Sequence, residues 1–364
     1  MSKALIVSYG LHGPWNKGEG VLSRNFTRLL ANLYDELTIL SAIDAKRGKP
    51  DLSGLKDLDI KYISKPKELR RFIKAHDTPS TDVHFLNMSL MSYPKVLLRD
   101  RVFTYQFAYR VLNIPSVTAR AVSALILSQV SCLRAITTSP IAYRNLCKFL
   151  RRNFYYVPAP IEIQKVRSMH CMKSGFLKCI YLGYGHYFRF PYIKIFRALR
   201  RLNRDGYNIR LDICIPEQSY VDYLTFVKGL RLAIIKMNLK GLVRIKVSNL
   251  EEDEKYDKLA NNDVLLYPAL MAAAIDPPLV VLEAMSLGRC VVASSVQSIP
   301  YILGEGRGVV INQHDLENEV YNTLKTLANE PDLVRDYGVN ARRWIIKTHN
   351  PVVVQKKIKD VMKA

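Results

Sequence analysis

The stretch Asp263 to Ser294, DVLLYPALMAAAIDPPLVVLEAMSLGRCVVAS, constrains this chain more than any other. Asp263 to Tyr267 is a short unbroken apolar run, the kind that fills a strand buried on both faces of a parallel sheet. Asp276-Pro277-Pro278 then breaks the chain, because proline fixes its own φ and has no amide proton. Leu279 to Leu287 resumes with apolar residues at helical spacing, and Gly288 ends the run. Arg289 to Ser294 reads as the next strand. The whole is a βαβ unit whose helix amino terminus offers amides and a positive dipole end to an anion. The helix's one acidic residue, Glu283, lies near its start and can accept from a ligand hydroxyl. An ordinary βαβ unit with a solvated glutamate has the same pattern.

The amino-terminal segment is built on similar lines. Ala4 to Tyr9 is a buried strand, and Gly10 to Gly20 (GLHGPWNKGEG) is a glycine-rich loop. It enters a helix carrying Leu22, Phe26, Leu29, Leu30 and Leu33. Glycine lets backbone amides approach a phosphate with no Cβ in the way, so the loop around Gly18 and Gly20 is a candidate anion cradle. A plain turn is the other reading. Leu37 to Ser41 supplies a second strand, and Asp82 to Asn87 and Val102 to Gln106 supply two more.

At 364 residues the chain is too long for one core, since single cores stop growing near about 250–300 residues. Tyr155 to Ile163 (YYVPAPIEI) marks the break, which gives an amino-terminal domain 1–160 and a second domain 161–350. The last helix, 351–364, is expected to cross back onto the first domain. In the second domain Lys178 to Gly183, Ile209 to Ile215 and Val243 to Val247 are strands. They alternate with helices at Ile193 to Leu202, Tyr220 to Met237 and Glu251 to Leu259. Beyond the βαβ unit, Ile299 to Ile311 reads as a turn and short strand, followed by helices at Leu316 to Leu327 and Pro331 to Thr348.

The six cysteines form no CxxC pair and sit mostly in apolar runs, so they read as reduced core residues, with neither a disulfide framework nor a zinc site. Cys171 is the candidate for an exposed thiol. Met1-Ser2-Lys3 leads straight into a core strand, which argues against a signal peptide. The longest uncharged apolar run, Ala121 to Leu133, falls short of the roughly 20 residues a spanning helix needs, and reads as a buried helix, with an interfacial helix as the alternative.

Charge is the second constraint. Lys and Arg total 54 against 32 acids, a net charge of +22. One cluster is Lys61, Lys65, Lys67, Arg70, Arg71 and Lys74, interleaved with Leu69, Phe72 and Ile73 as in an interface-lying helix. Another is Arg197, Arg200, Arg201 and Arg204. Such a field attracts an anionic membrane, a nucleic acid or a phosphorylated acceptor, although no nucleic-acid motif is present. A solvated basic face is the simpler alternative.

The βαβ stretch resembles the donor-site signature of retaining GT-B glycosyltransferases, the group 1 nucleotide-sugar enzymes related to glycogen synthases and phosphatidylinositol mannosyltransferases. That family carries Glu-x7-Glu, continuing as Glu-Ala-Met-Ala-x-Gly-x-Pro-Val-Val-Ala-Ser. Here Leu279 to Gly288 matches the helix closely, through Glu283-Ala284-Met285-Ser286-Leu287-Gly288, and Asn340-Ala341-Arg342-Arg343 resembles a late helical signature. The resemblance implies an α/β fold of GT-B type, two Rossmann-like domains with parallel sheets facing across a cleft. It implies a sugar transferred from a nucleotide diphosphate sugar with retention, and neither a metal nor a cofactor. Glu283 would hold the donor ribose, and the backbone around Pro278, Leu279 and Val280 would face the diphosphate.

The chain departs from the family at three polar positions. Ile275 stands where the first Glu belongs, with Asp276 as the neighbouring acid. Tyr184 stands in place of an Arg, which leaves Arg189 as the nearest cation, assisted by Lys17. Gln106 stands in place of a His, with His84 at the end of the preceding strand as its substitute. The catalytic candidates are therefore Arg189, His84 and Asp276. The expected partners are a nucleotide sugar donor, a glycan or lipid-linked acceptor and an anionic membrane surface, with a cytoplasmic location at the inner membrane face. A second reading, drawn from the same three departures, is a catalytically silent GT-B protein that binds a glycan, nucleotide sugar or anionic partner.

Overall fold

The computed structural model describes residues 2–8, 11, 18–42, 59–63, 68, 71, 75, 80–86, 101–106, 133–147, 153–163, 175–273 and 275–364. The chain divides into two compact units, one of residues 1–160, 274–276 and 348–364, the other of 161–273 and 277–347. In the first unit the described elements are β1 (Lys3–Ser8), α1 (Gly18–Ala31), β2 (Glu36–Ala42), β3 (Asp59–Ile63), β4 (Thr81–Leu86), β5 (Val102–Gln106), β6 (Leu133–Thr137), α2 (Pro140–Leu146) and β7 (Phe154–Tyr156). The second contains β8 (Leu177–Leu182), α3 (Tyr192–Arg204), β9 (Ile209–Ile215), α4 (Val221–Lys236), β10 (Val243–Val247), α5 (Glu252–Ala260), β11 (Val264–Tyr267), α6 (Leu279–Ser286), β12 (Cys290–Ser294), α7 (Ile299–Leu303), β13 (Val309–Ile311), α8 (Leu316–Asn329) and α9 (Pro331–Thr348). The chain then returns to the first unit with α10 (Pro351–Lys363).

The first unit is a seven-stranded sheet in the order β3-β2-β1-β4-β5-β6-β7, parallel throughout. Leu5-Ile6-Val7 and the whole of β4 are buried, as a sheet covered on both faces requires. Leu22, Phe26, Leu29 and Leu30 give α1 its buried stripe. Ser139 starts α2 by accepting from the Ala142 amide, with Pro140 in the first turn where no amide proton is needed. The carboxy-terminal helix is tied in at several points. Asn350 caps it, Val354, Ile358 and Val361 are buried, Gln355 donates to the Leu29 carbonyl and Arg134 to that of Met362. The His349 Nδ1 donates to the Ala159 carbonyl at 2.7 Å.

The second unit is a six-stranded parallel sheet, β10-β9-β8-β11-β12-β13. Alternate residues of its strands, including Cys179, Tyr181, Leu211, Ile213, Leu266 and Val292, form one core with α3, α4 and α8. The intervening residues Ile180, Leu265, Val291 and Ala293 are buried too, on the face where α6 packs. Helix α6 ends as its sequence suggests. Gly288 takes a φ of 68°, its amide bonds to the Met285 carbonyl, and that of Arg289 reaches back to Ala284, a Schellman turn.

Some expectations are corrected here. Helix α1 already begins at Gly18, so Gly18 and Gly20 lie in its first turn rather than in the loop before it. Strand β3, strand β6 and the short α2 were not anticipated, and Leu133, placed in a helix from its apolar neighbours, starts β6. The rest of the run 121–132 lies outside the described residues, as do Lys17, Cys132 and Cys171.

Candidate functional site

In each sheet the chain starts in the middle and builds outwards in both directions, so neighbouring central strands send their connections to opposite faces. In the second unit this switch falls between β8 and β11. The segments leaving their carboxyl ends are Gly183–Pro191 and the stretch after Tyr267. The two are packed together: the Leu270 amide donates to the Phe188 carbonyl at 2.8 Å, and Arg189 donates to the Met271 carbonyl at 3.3 Å and reaches the Tyr267 hydroxyl at 3.5 Å. The first of these loops has little freedom. A Cβ on Gly185 would lie 2.7 Å from the Tyr223 ring, and Tyr181 donates to the carbonyl of Tyr184, the residue standing for the family's arginine.

Gln297 holds the second loop. Its side-chain oxygen accepts from the Ala273 amide at 2.8 Å and its nitrogen donates to the Ala273 carbonyl at 3.1 Å, while its own φ is 52°. A non-glycine residue in the left-handed region is uncommon, and here the paired bonds to the amide and carbonyl of one residue, Ala273, hold it.

The amino terminus of α6 opens at this switch point. Its cap position is Pro278, and no side chain among the described residues caps it, so the Leu279 and Val280 amides face outward along the helix axis. Pro278 supplies no donor of its own. One turn further in, Glu283 is buried at 4% exposure and paired at 2.6 Å through Oε1 with Lys255 of α5. The glutamate is thus neither solvated nor isolated. Lys255 was missed in the sequence because it lies 28 residues upstream in a strongly charged helix, where one lysine looks like any other.

The candidates in the first unit are engaged differently. His84 is wholly buried. The one proton of the Tyr34 hydroxyl goes to Asp82 Oδ2 at 2.8 Å, so Tyr34 accepts at its 2.7 Å contact with His84 Nε2. Nε2 therefore carries the ring proton, and Nδ1 accepts from the Tyr105 hydroxyl at 3.0 Å. Arg101 closes the relay on Asp82 at 2.6 Å, and Phe103 stacks on the imidazole at 4.8 Å. Burial, opposed by Asp82, brings His84 down to about 4. The ring is a satisfied core group with no face open to a substrate. Asp276 is also fully buried: its Oδ2 accepts from Ser139 Oγ, and its carbonyl accepts from Thr138 at 2.9 Å. Ile275, where the family has its first glutamate, is buried as well.

The basic clusters fare unequally. Of the stretch 61–74, only residues 61–63, Glu68 and Arg71 are described. On α3, Arg197 and Arg201 lie 3.9 and 3.8 Å from Glu317 of α8, and Arg201 stands 4.3 Å over the Tyr321 ring, so part of that cluster serves packing. A groove of about 260 Å³, with Lys178, Arg210 and Arg244 among its walls, opens at the amino-terminal ends of β8, β9 and β10. That is the opposite edge of the sheet from the switch-point loops. Among the described residues no group of three metal-ligating side chains is gathered, and no helix is long and apolar enough to cross a membrane.

Residues 228–330 match the family model for glycosyl transferases group 1. No curated protein matches the sequence. Among solved structures, Anabaena Alr3699/HepE in complex with UDP is similar in fold, with a TM-score of 0.74 at 10% identity over 99% of each chain. A glycosyltransferase from Rickettsia africae gives 0.73 at 13% identity, over 100% of this chain and 98% of that one. Sucrose-phosphate synthase from Thermosynechococcus elongatus gives 0.69 at 14%, with the same coverage. The chain therefore has the GT-B fold, and its residues 228–330 are similar to glycosyl transferases group 1.

Proposed function

We propose that this protein transfers a sugar from a nucleoside diphosphate sugar to an acceptor hydroxyl, with retention at the anomeric carbon and without a metal ion. The observation that carries the reading is the uncapped amino terminus of α6 at the switch point, with the buried Glu283 one turn behind it. The Leu279 and Val280 amides would receive the diphosphate, and the positive end of the helix favours its charge. Lys255 engages Oε1 of Glu283, which leaves Oε2 to accept from the ribose. Arg189, half-buried beside Tyr267, would neutralise the leaving group where negative charge develops. UDP and UDP-glucose are bound by a protein of similar fold, which makes uridine diphosphate the first nucleotide to try.

In this reading the bond from the anomeric carbon to the diphosphate breaks and a bond to the acceptor oxygen forms on the same face. The acceptor proton passes to the leaving diphosphate. No carboxylate is proposed as a covalent nucleophile, since Asp276 is held by Ser139 and Glu283 by Lys255. The acceptor is a glycan or a lipid-linked sugar at the anionic cytoplasmic face of a membrane, a reading supported by the net charge of +22.

Calorimetric titration with nucleoside diphosphates tests the donor site. Binding is expected, and Glu283→Ala should weaken it about tenfold or more through loss of a charge-assisted hydrogen bond. Unchanged affinity would remove Glu283 from the site. NMR of the product, with and without a chelator, then reads the anomeric configuration and the metal requirement. A second reading, a GT-B protein that binds without catalysing transfer, is favoured by the enclosure of His84 and Asp276. Tight nucleotide binding with neither hydrolysis nor transfer of any sugar would establish it.

A further inference from the structure

Helix α4 is apolar on two sides. Tyr223, Phe226, Val227, Leu230, Ala233 and Ile234 are buried against the sheet. On the opposite side Val221, Leu224, Leu232 and Ile235 are 76%, 55%, 46% and 56% exposed. At 100° per residue these four fall within one stripe along the solvent side, about 21 Å long at 1.5 Å per residue. Lys228 lies within the stripe, and Arg231 and Lys236 flank it, all exposed. Scattered exposed aliphatics are ordinary on a protein surface, but a row of four on a single helix is a patch.

We propose that the outer face of α4 is a docking surface for an anionic lipid bilayer. Three observations select this occupant. The cations on the face sit between and beside the aliphatics, where long side chains can reach phosphate headgroups while their stems lie along apolar surface. A symmetric contact with a second copy would gather two sets of Lys228, Arg231 and Lys236 in one interface, on a chain already carrying +22. The face is also the convex outer side of a single helix, a shape that can lie along a bilayer surface.

Exposed aromatic residues lie near the first half of α4. Tyr220, which precedes α4, is exposed, and so are Tyr187 and Phe188. Tyr187 meets Tyr192 edge-on at 6.1 Å, and Tyr192 meets Phe226 of α4 edge-on at 5.5 Å. Aromatic rings of this kind favour the headgroup level of a bilayer. Tyr187 and Phe188 lie in the loop that carries Arg189, and through Tyr192 that loop packs on the buried side of α4. This deepens the membrane-face acceptor proposed above and rests on that reading only for its biological sense.

Vesicle flotation tests it, using phosphatidylcholine alone and phosphatidylcholine with 30% phosphatidylglycerol. The wild-type chain should float with the anionic vesicles only, and less so as salt is raised. Reversing Lys228, Arg231 and Lys236 to Glu should lower partitioning by at least about a hundredfold, at roughly fivefold for each cation removed. Changing Leu224, Leu232 and Ile235 to Gln should also release the protein, with melting temperature and nucleotide affinity unchanged because these side chains face solvent. An L232W variant should show a blue shift of its added emission on anionic vesicles. Normal flotation of both α4 triples would overturn the inference, as would flotation lost only on charge reversal at Lys67, Arg70 and Arg71. Light scattering that shows a dimer dissolved by the Gln triple would overturn it in favour of self-association. Absent nucleotide binding with α4-dependent flotation intact would instead count against the donor site alone.

Discussion

Mild acid should destabilise the first unit before most of its carboxylates are protonated, because it encloses two neutral histidines. Burial brings both His84 and His349 down to about 4 from the ordinary 6.5. Above 6.5 the ring is neutral in folded and unfolded chains alike, and stability is fully present. Below it the unfolded chain takes up a proton that the folded chain refuses until the pH reaches about 4, so stability is lost progressively across that window. At 1.36 kcal/mol per unit, the complete effect is about 3 kcal/mol per ring, of which about 2 has gone by pH 5. Both rings together remove about 4 kcal/mol at pH 5, a large share of the roughly 5–15 kcal/mol that holds a typical domain folded. Urea denaturation followed by circular dichroism at pH 7, 6 and 5 reads this directly. His349→Asn, whose amide nitrogen can keep the bond to the Ala159 carbonyl, should abolish about half of the loss between pH 7 and 5. A total loss below about 1 kcal/mol, or either imidazole titrating above pH 6 by NMR, would refute the reasoning. For His84 such a result would also reopen its case as a group facing substrate.

The other predictions concern the second unit. Lys255→Met leaves the Glu283 carboxylate buried without its cation and should cost about 3–5 kcal/mol in denaturant unfolding, while the Lys255→Met/Glu283→Gln double variant recovers most of it; equal stability of the single variant would dismiss the pair. Arg189→Ala should weaken nucleoside diphosphate binding about tenfold while barely changing that of the monophosphate, as read by calorimetry; equal losses for both would assign the charge compensation elsewhere. A Cβ on Gly338 would clash with the Gly288 carbonyl oxygen, where neither backbone can yield cheaply. Gly338→Ala should therefore lower stability by about 1–3 kcal/mol or more, as overpacking does, and an unchanged melting temperature would show that α9 can shift away.

What could be read in advance depended on how local the signal was. The βαβ run was legible because Pro277, Pro278 and Gly288 punctuate it and its strands, VLLY and CVVAS, carry no charged residue. The Schellman end of α6 needs only its own few residues. Strand β3, with Asp59 and Lys61 among five residues, carries too little apolar pattern to stand out, and β6 is shadowed by the apolar run preceding it. The partners of the charged groups were illegible for a different reason. Lys255 meets Glu283, Tyr34 and Tyr105 meet His84, and Ser139 meets Asp276 only once strands far apart in sequence are neighbours. An acidic residue beside a missing glutamate looks available in one dimension. Its neighbour Ile275 and the Ser139 hydroxyl, 137 residues away from Asp276, leave it enclosed in three.

The return of α10 to the first unit has a consequence for biosynthesis. Residues 1–160 leave the ribosome before the second unit, yet their unit also includes residues 348–364, made only after the entire second unit. Until then the surface that receives Val354, Ile358 and Val361 is bare, along with the Ala159 and Leu29 carbonyls that His349 and Gln355 will occupy. At about 1.5–3 kcal/mol for each buried aliphatic side chain, the missing helix is worth much of a domain's net stability. The usual order of synthesis, in which the leading domain folds while the next is being made, is thereby inverted. The nascent amino-terminal half must remain soluble while a second fold forms behind it, and a ribosome stalled just short of residue 348 would release a finished second unit joined to an unfinished first.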